Sequence, residues 1–172
     1  MLNFEKLKEY KENNCFEAKL AIGELPKSMW ETYSAFANTN GGVIVLGVEE
    51  KTDKSLNIVG LDNPEKLVTD FWNTINNSQK VSINLLSDDK VNIIEHEGGK
   101  LISIEIPRAE RVDRPVYIGE NPLKGTYKRC GEGDFHVPVM YGLICQTMIF
   151  YIVSELWLMA MMANCIQRLA DF

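Results

Sequence analysis

The sequence contains few residues that could bind a structural metal. Its four cysteines (Cys15, Cys130, Cys145 and Cys165) lie far apart, form no CxxC pair, and are accompanied by only two histidines. Structural zinc sites normally use four such ligands at short, regular spacings. A zinc-stabilised domain is therefore not expected, and the wide cysteine spacing favours reduced thiols in the cytoplasm.

The sequence also lacks a phosphate-binding nucleotide loop. No GxxxxGK[ST] segment occurs. Gly41-Gly42 follows a helical pattern and precedes a strand, which reverses the order found in nucleotide-binding loops. The C-terminal end of a helix carries partial negative charge and repels anions. ATP hydrolysis by this chain is therefore not expected.

Positive charge is scarce over the chain as a whole. There are 24 acidic and 18 basic residues, which give a net charge of −6. This balance disfavours nonspecific nucleic-acid binding, which depends on neutralising phosphates. The N-terminal segment is too charged to be a signal peptide. Contact with nucleic acid would need a local concentration of basic residues.

The hydrophobic patterns predict an α+β domain with a mixed β-sheet and two main covering helices. A helix over residues 28–38 is followed by a buried strand over 43–48, and Ser28 with Glu31 forms a capping-box pattern. Residues 64–76 predict the second helix. Residues 49–57 predict a loop or hairpin tip. Further strands are predicted at residues 15–21, 81–86, 91–97, 100–107, 115–118 and 125–129, with Gly98-Gly99 as a hairpin turn.

Three segments resemble one known domain family. ENNCFEAKLA, ELPKSMWETYSAFANTNGGVIVLGVEE and DRPVYIGENPLKGTYKRCGEGDFH are similar to the Schlafen/AlbA-type domain, in the order that family shows. In bacteria this domain commonly forms the N-terminal part of DNA-binding transcriptional regulators, some of them labelled divergent AAA. The resemblance covers residues 4–136 and implies a Schlafen/AlbA-like domain at residues 1–136 that binds DNA or RNA.

Basic residues are concentrated in residues 107–130. This segment holds six basic and three acidic residues, a net charge of +3, so the rest of the chain carries −9. Such contrast favours phosphate contact, and two tyrosines interleaved with the basic residues could stack on bases. The alternative is a solvated hairpin whose arginines pair with carboxylates. The candidate nucleic-acid-binding residues are Arg108, Arg111, Arg114, Tyr117, Lys124, Tyr127, Lys128 and Arg129.

An acidic set supports a different hypothesis, a metal-dependent endoribonuclease of the Schlafen type. The resemblance to ribonuclease members of the family implies a pair of acids joined by a third after the following strand. Carboxylates that converge on Mg or Mn could activate water for phosphodiester cleavage. The residues at these positions are Glu12, Glu17, Glu49 and Glu50. Without such activity no cofactor is expected, and a non-catalytic interaction module is a third alternative.

The C-terminal tail, residues 137–172, is strongly apolar and atypical of the family. Glu155 is its single formal charge between residues 137 and 165, and residues 137–153 are uncharged. That run is shorter than the roughly 20 residues that span a bilayer, so a membrane span is disfavoured. We expect a helical tail that forms a homodimer. A shift of reading frame after His136 is an alternative origin of the tail.

Overall fold

The structure is a computed structural model that describes residues 14–96 and 98–137. In these ranges, three helices separate groups of one to three strands. In chain order they are β1 Phe16–Lys19, α1 Ser28–Ala37, β2 Gly42–Leu46, β3 Val48–Glu50, β4 Leu56–Ile58, α2 Pro64–Ile75, β5 Val91–His96, β6 Gly99–Ile106, α3 Pro122–Gly125, β7 Tyr127–Cys130 and β8 Gly133–His136.

A four-stranded mixed sheet lies at the centre of the domain. Its strand order is β1-β2-β6-β5, in which β2 runs parallel to β1 and antiparallel to β6. Three β-branched residues in β2 (Val43, Ile44 and Val45) suit a strand that is covered on both faces. The predicted α+β class, the mixed sheet and the central position of this strand are confirmed.

Helices α1 and α2 supply the apolar side chains that cover one face of the sheet. Leu67, Phe71 and Ile75 form the buried side of α2, at the spacing expected for one helix face. Trp30 of α1 stacks on Phe71 with ring centres 5.3 Å apart, which joins the two helices. The main residues of this core are Met29, Tyr33, Phe36, Ile44, Leu46, Phe71, Ile75, Ile102, Ile104 and Ile106.

The opposite face of the sheet is covered by the β3–β4 hairpin. Leu56 of β4 packs with Phe16 and Ala18 of β1, Val45 of β2 and Leu101 of β6. The hairpin includes the polar segment predicted as a loop or hairpin tip. β2 is therefore buried on both sides, and its alternating side chains enter two separate cores.

The predicted capping box at the start of α1 is wrong. Ser28 is the first helical residue, Lys27 occupies the cap position, and no side chain there bonds to the helix amides. Asn63 occupies the cap position of α2, also without a side-chain hydrogen bond to the helix amides, and Pro64 is the first residue of that helix. Proline fits there because the first helical amides have no partner within the helix.

Two predicted strands, residues 81–86 and 115–118, are irregular segments joined by a single bridge between Val81 and Ile118. Side chains satisfy backbone groups that a strand ladder would otherwise use. The Leu85 amide donates to the Tyr33 hydroxyl at 3.0 Å, and the Leu86 amide donates to Asn84 Oδ1 at 2.8 Å. These side-chain partners, one distant and one local in sequence, take the place of hydrogen bonds to a neighbouring strand.

The predicted helical tail lies outside the described residues, except for Val137, and so does the proposed dimer contact. Among the residues that the structure describes, no helix has both the length and the apolar character needed to cross a bilayer.

Shortening Leu46 tests the placement of β2. Its side chain is fully buried in the larger core. We expect Leu46→Ala to lower the free energy of unfolding by about 2–5 kcal/mol, because it removes contacts and leaves a cavity. Chemical denaturation of the whole chain measures this. The control is Ile22→Ala at a side chain that is 74% exposed, where we expect a change of about 0.5 kcal/mol or less. Equal losses in both variants would contradict the placement.

Candidate nucleic-acid interface

The C-terminal end of α1 holds together the segments that carry the predicted basic residues. Asn38 follows the helix, and its Oδ1 accepts a hydrogen bond from the Val116 amide at 2.9 Å. Its Nδ2 donates to the carbonyls of Val116 at 2.7 Å and Tyr127 at 3.0 Å. Ser34 Oγ also donates to the Val116 carbonyl and accepts from the Tyr127 amide. Both segments are therefore fixed to one turn of one helix.

Two further contacts extend this anchoring. Thr39 Oγ1 accepts a hydrogen bond from the Arg129 amide at 3.0 Å. The Ala37 carbonyl accepts one from the Ala109 amide at 2.9 Å. The loop that follows β6 and the strand β7 thus lie beside each other at the end of α1.

Gly41 allows the chain after β6 to approach this turn closely. The residue has φ +75°, and a Cβ atom there would lie 2.7 Å from the Ile106 carbonyl oxygen and 2.9 Å from the Arg108 amide nitrogen. Only glycine fits both the backbone conformation and the available space. The loop that begins at Arg108 therefore depends on this glycine for its position.

Five of the six predicted basic residues present their charge to solvent. Four of them are exposed, and Arg114 is partly exposed. Arg114 Nε makes only a long contact of 3.4 Å to the Glu110 carbonyl. None of the five forms an ion pair with a carboxylate of the described residues. Their charges are therefore available to an external anion. The five residues are Arg108, Arg111, Arg114, Lys124 and Lys128.

Arg129, the sixth basic residue, is enclosed in the domain. Its side chain is 1% exposed, and its guanidinium donates to Glu17 at 2.7 Å and to Asp134 at 2.9 Å. The guanidinium carbon lies 5.2 Å from the centre of the Phe36 ring. A phosphate cannot contact a guanidinium enclosed in this way. We therefore leave Arg129 out of the interface and assign it to the link between β1, β7 and β8.

The carboxylates around Arg129 have additional partners. Glu17 also accepts from the Lys19 ammonium at 2.8 Å, and Asp134 accepts from the Thr32 hydroxyl at 2.6 Å. Burial alone would lower the pKa of Arg129, but the hydrogen bond to Asp134 and the charge of Glu17 outweigh it and raise that pKa. The network therefore keeps its charge as a paired, internal unit.

The two candidate tyrosines are partly buried. The Tyr127 hydroxyl donates to Glu31 at 3.3 Å, and its ring meets His136 edge-on with centres 5.6 Å apart. Burial, followed by the Glu31 charge, raises the pKa of Tyr127, so the phenol stays protonated at neutral pH. The Tyr117 amide donates to Ser82 Oγ at 2.9 Å. Base stacking on either tyrosine stays a prediction.

The acidic residues of the ribonuclease hypothesis have different environments. Glu17 is engaged by Arg129 and Lys19, whereas Glu49 is exposed on β3. Glu50 lies 3.4 Å from the Lys54 ammonium. In residues 14–96 and 98–137, no three acidic, histidine or cysteine side chains are grouped to hold a metal ion. The fourth candidate, Glu12, lies outside these ranges.

A groove of about 1060 Å³ lies between α1, α2 and the loop that contains α3. Trp30 and Ile118 contribute apolar surface, and Lys124 connects the groove to the basic residues. Four acidic and three basic side chains line it in total. Because these charges nearly balance, the groove is a poor phosphate site by itself.

A comparison with protein families identifies one match. The family model described as Schlafen, AlbA_2 matches residues 8–138 of this chain. The match includes α1, the buried Arg129 network and the exposed basic residues. None of the curated proteins matches the chain.

Solved structures provide a second comparison. The N-terminal domain of a RecG-related protein from Nitrosomonas europaea is similar, with 27% identity and a TM-score of 0.57, over 77% of this chain and 89% of that chain. The DIP2311 protein from Corynebacterium diphtheriae matches more weakly, with 16% identity and a TM-score of 0.42, over 72% of this chain and 21% of that chain. The first comparison agrees with the architecture described above.

Substitutions at two neighbouring residues of β7 test the different roles assigned to their side chains. Arg129→Ala leaves Glu17 and Asp134 without their shared cation, so we expect the free energy of unfolding to fall by about 3–5 kcal/mol. Lys128→Ala removes an exposed cation, and we expect a change of about 0.5 kcal/mol or less. Urea denaturation measures both. A similar, small effect of the two substitutions would contradict the assignment of Arg129 to a buried link.

Proposed function

The chain belongs to the Schlafen AlbA_2 family, and from this premise we propose that it binds nucleic acid as the DNA-binding part of a transcriptional regulator in the cytoplasm. One observation carries the proposal. Five basic residues without ion-pair partners among the described carboxylates project from segments that meet at the end of α1. The five residues are Arg108, Arg111, Arg114, Lys124 and Lys128.

The charge distribution suits a polyanion. Residues 107–130 carry +3, although the whole chain carries −6. Elsewhere in the described residues, four of the eight lysines are paired, as Lys54 is with Glu132 and Lys100 is with Glu65. Cations that remain unpaired in an acidic protein are available for phosphates, whose neutralisation releases counterions from the nucleic acid.

The positioning of the cations also supports binding. Hydrogen bonds at Asn38, Ser34 and Thr39 fix the loop backbones before any ligand arrives. A pre-ordered site loses less conformational entropy when it binds. Arginine in loops also suits phosphate oxygens, because its planar group donates hydrogen bonds in a fixed geometry.

The similar structure favours DNA as the nucleic acid. That protein is related by name to RecG, an ATP-dependent DNA helicase, and the similarity is to its N-terminal domain. The DNA-binding transcriptional regulators in this family also favour DNA as the ligand. Unneutralised cations, a matching family model and this structural similarity together support DNA binding over a protein-interaction role.

Charge reversal at the interface tests the proposal. We expect Arg108→Glu combined with Arg111→Glu to weaken binding of labelled DNA by the full chain. The slope of log affinity against log salt concentration should also become shallower by about 2, since two phosphate contacts are lost. Fluorescence anisotropy at several salt concentrations measures both quantities.

The matched control reverses two exposed lysines outside the interface, Lys51 and Lys66. It changes the net charge by the same amount, and we expect the parent slope. Equal weakening in both double variants would show a general charge effect and contradict the interface. Failure of DNA and RNA to bind the parent at low salt would contradict the function. RNA cleavage that requires Mn or Mg and disappears in Glu49→Ala, a variant at an exposed carboxylate outside the Arg129 network, would instead support the ribonuclease.

A dimer through residues 137–172 belongs to the same proposal. The tail is too apolar to stay exposed, and self-association is a common way to cover such a surface. We expect light scattering of the full chain to give twice the monomer mass. A monodisperse monomer would contradict the dimer, and solubility that requires detergent would favour a membrane-associated tail.

A further inference from the structure

The outer face of the β7–β8 hairpin carries an exposed aromatic ring beside a cation. Phe135 is 59% exposed, and it is the only aromatic residue among the five exposed large hydrophobic side chains of the described residues. Lys128 is its direct partner across the two strands, and its side chain is also exposed. Side chains that face each other in this way have Cβ atoms about 5 Å apart. The ring and the ammonium therefore share one surface.

The Phe135 ring lies close to the backbone of Gly133. A Cβ atom at this position would lie 2.8 Å from Phe135 Cε2 and 3.1 Å from Cζ. The ring therefore lies against the backbone of its own strand, two residues away. Gly133 contacts one part of the ring, and the side chain as a whole stays exposed, which leaves apolar surface for a flat ligand.

The charges of the hairpin favour an anion at this place. Glu132 is paired with Lys54 at 3.2 Å, and Asp134 is paired with the buried Arg129. Lys128 forms no ion pair with any described carboxylate. Both acids of the hairpin are thus neutralised, while an exposed cation remains beside the ring.

We propose that this surface binds single-stranded nucleic acid, with one base stacked on Phe135 and an adjacent phosphate on Lys128. The proposal rests on the function proposed above and names a subsite and a substrate form. An aromatic face with a neighbouring cation is the usual arrangement for single strands, because every base has a π-face and every nucleotide has a phosphate. Bases inside a duplex are stacked on each other and cannot reach the ring.

The hairpin is fixed before binding. Arg129 points to the opposite face of β7 and is held by Glu17, while Thr39 binds its amide. Alternation along the strand therefore directs Lys128 outward. The fixed hairpin keeps the backbones of Phe135 and Lys128 opposite each other, and the flexible lysine stem lets the ammonium reach a phosphate next to a base stacked on the ring.

Two single-stranded probes separate stacking from phosphate contact. The first is a labelled deoxythymidine homopolymer, and the second is an abasic strand of equal length with the same phosphates but no bases. A uridine homopolymer distinguishes RNA from DNA, and a duplex of equal length serves as reference. Anisotropy of the full chain at low salt gives the affinities.

We expect Phe135→Ala to weaken binding of the thymidine strand by about 5- to 150-fold, the range for loss of one stacked base. The affinity of Phe135→Ala for the abasic strand and for the duplex should stay at the parent level. Phe135→Trp should retain binding, and Phe135→Leu should lose it, since leucine is apolar but has no flat face. Lys128→Ala should weaken the thymidine and abasic strands by the same factor. If Phe135→Ala loses the same factor of affinity for the uridine strand as for the thymidine strand, the subsite binds RNA and DNA alike.

Several results would overturn the subsite. Parent-level binding of the thymidine strand by Phe135→Ala would exclude stacking, as would an equal loss on the abasic strand. A change in oligomeric mass in Phe135→Leu would assign the ring to a protein contact instead. Binding of duplex without single strands would overturn this inference but leave the proposed function intact. If the parent chain binds neither duplex nor single strands, both the subsite and the proposed function would be overturned.

Discussion

One buried guanidinium links parts of the fold that are far apart in sequence. Arg129 on β7 pairs with Glu17 on β1 and Asp134 on β8, above the Phe36 ring of α1. A buried charge is costly unless it is paired and hydrogen-bonded. The hairpin is therefore held in the one arrangement that brings both carboxylates to the guanidinium. Because Arg129 is held inward in this arrangement, the neighbouring residue of β7, Lys128, faces outward.

The last turn of α1 imposes a second, related constraint. Asn38 and Ser34 bind the backbone at Val116 and Tyr127, so the loop after β6 and the strand β7 meet at this turn. Side-chain amides and hydroxyls give these contacts direction, which apolar packing would not. The buried charges of the Arg129 network are paired with each other, whereas five exposed or partly exposed basic side chains between residues 108 and 128 have no carboxylate partner among the described residues. This division explains how an acidic chain can present a basic surface.

The elements that pack by periodicity could be predicted from the sequence. Leu67, Phe71 and Ile75 define α2, and the β-branched run at Val43–Val45 defines the central strand. The tight turn at Gly98 also predicted the β5–β6 hairpin. These patterns are local, so neighbouring residues contain the information. The location of the basic segment could be predicted for the same reason.

Features that depend on distant partners were not predicted. All six cations looked equivalent in sequence, although alternation in β7 places Lys128 and Arg129 on opposite faces and could have suggested different roles. Asn38 was interpreted as a helix-ending residue, and its contacts with Val116 need the folded chain. Phe135 had no local signal, because a four-residue strand does not reveal which of its faces is covered.

The most direct test of the central claim is the position of bound nucleic acid on the domain. Amide chemical shifts of the full chain can be followed by NMR during titration with a single-stranded oligonucleotide. We expect the largest shifts at residues 108–117 and 124–135, while the edge strand β5 at Val91–His96 stays unchanged. Shifts concentrated on that strand, with residues 108–135 unchanged, would contradict the proposed interface.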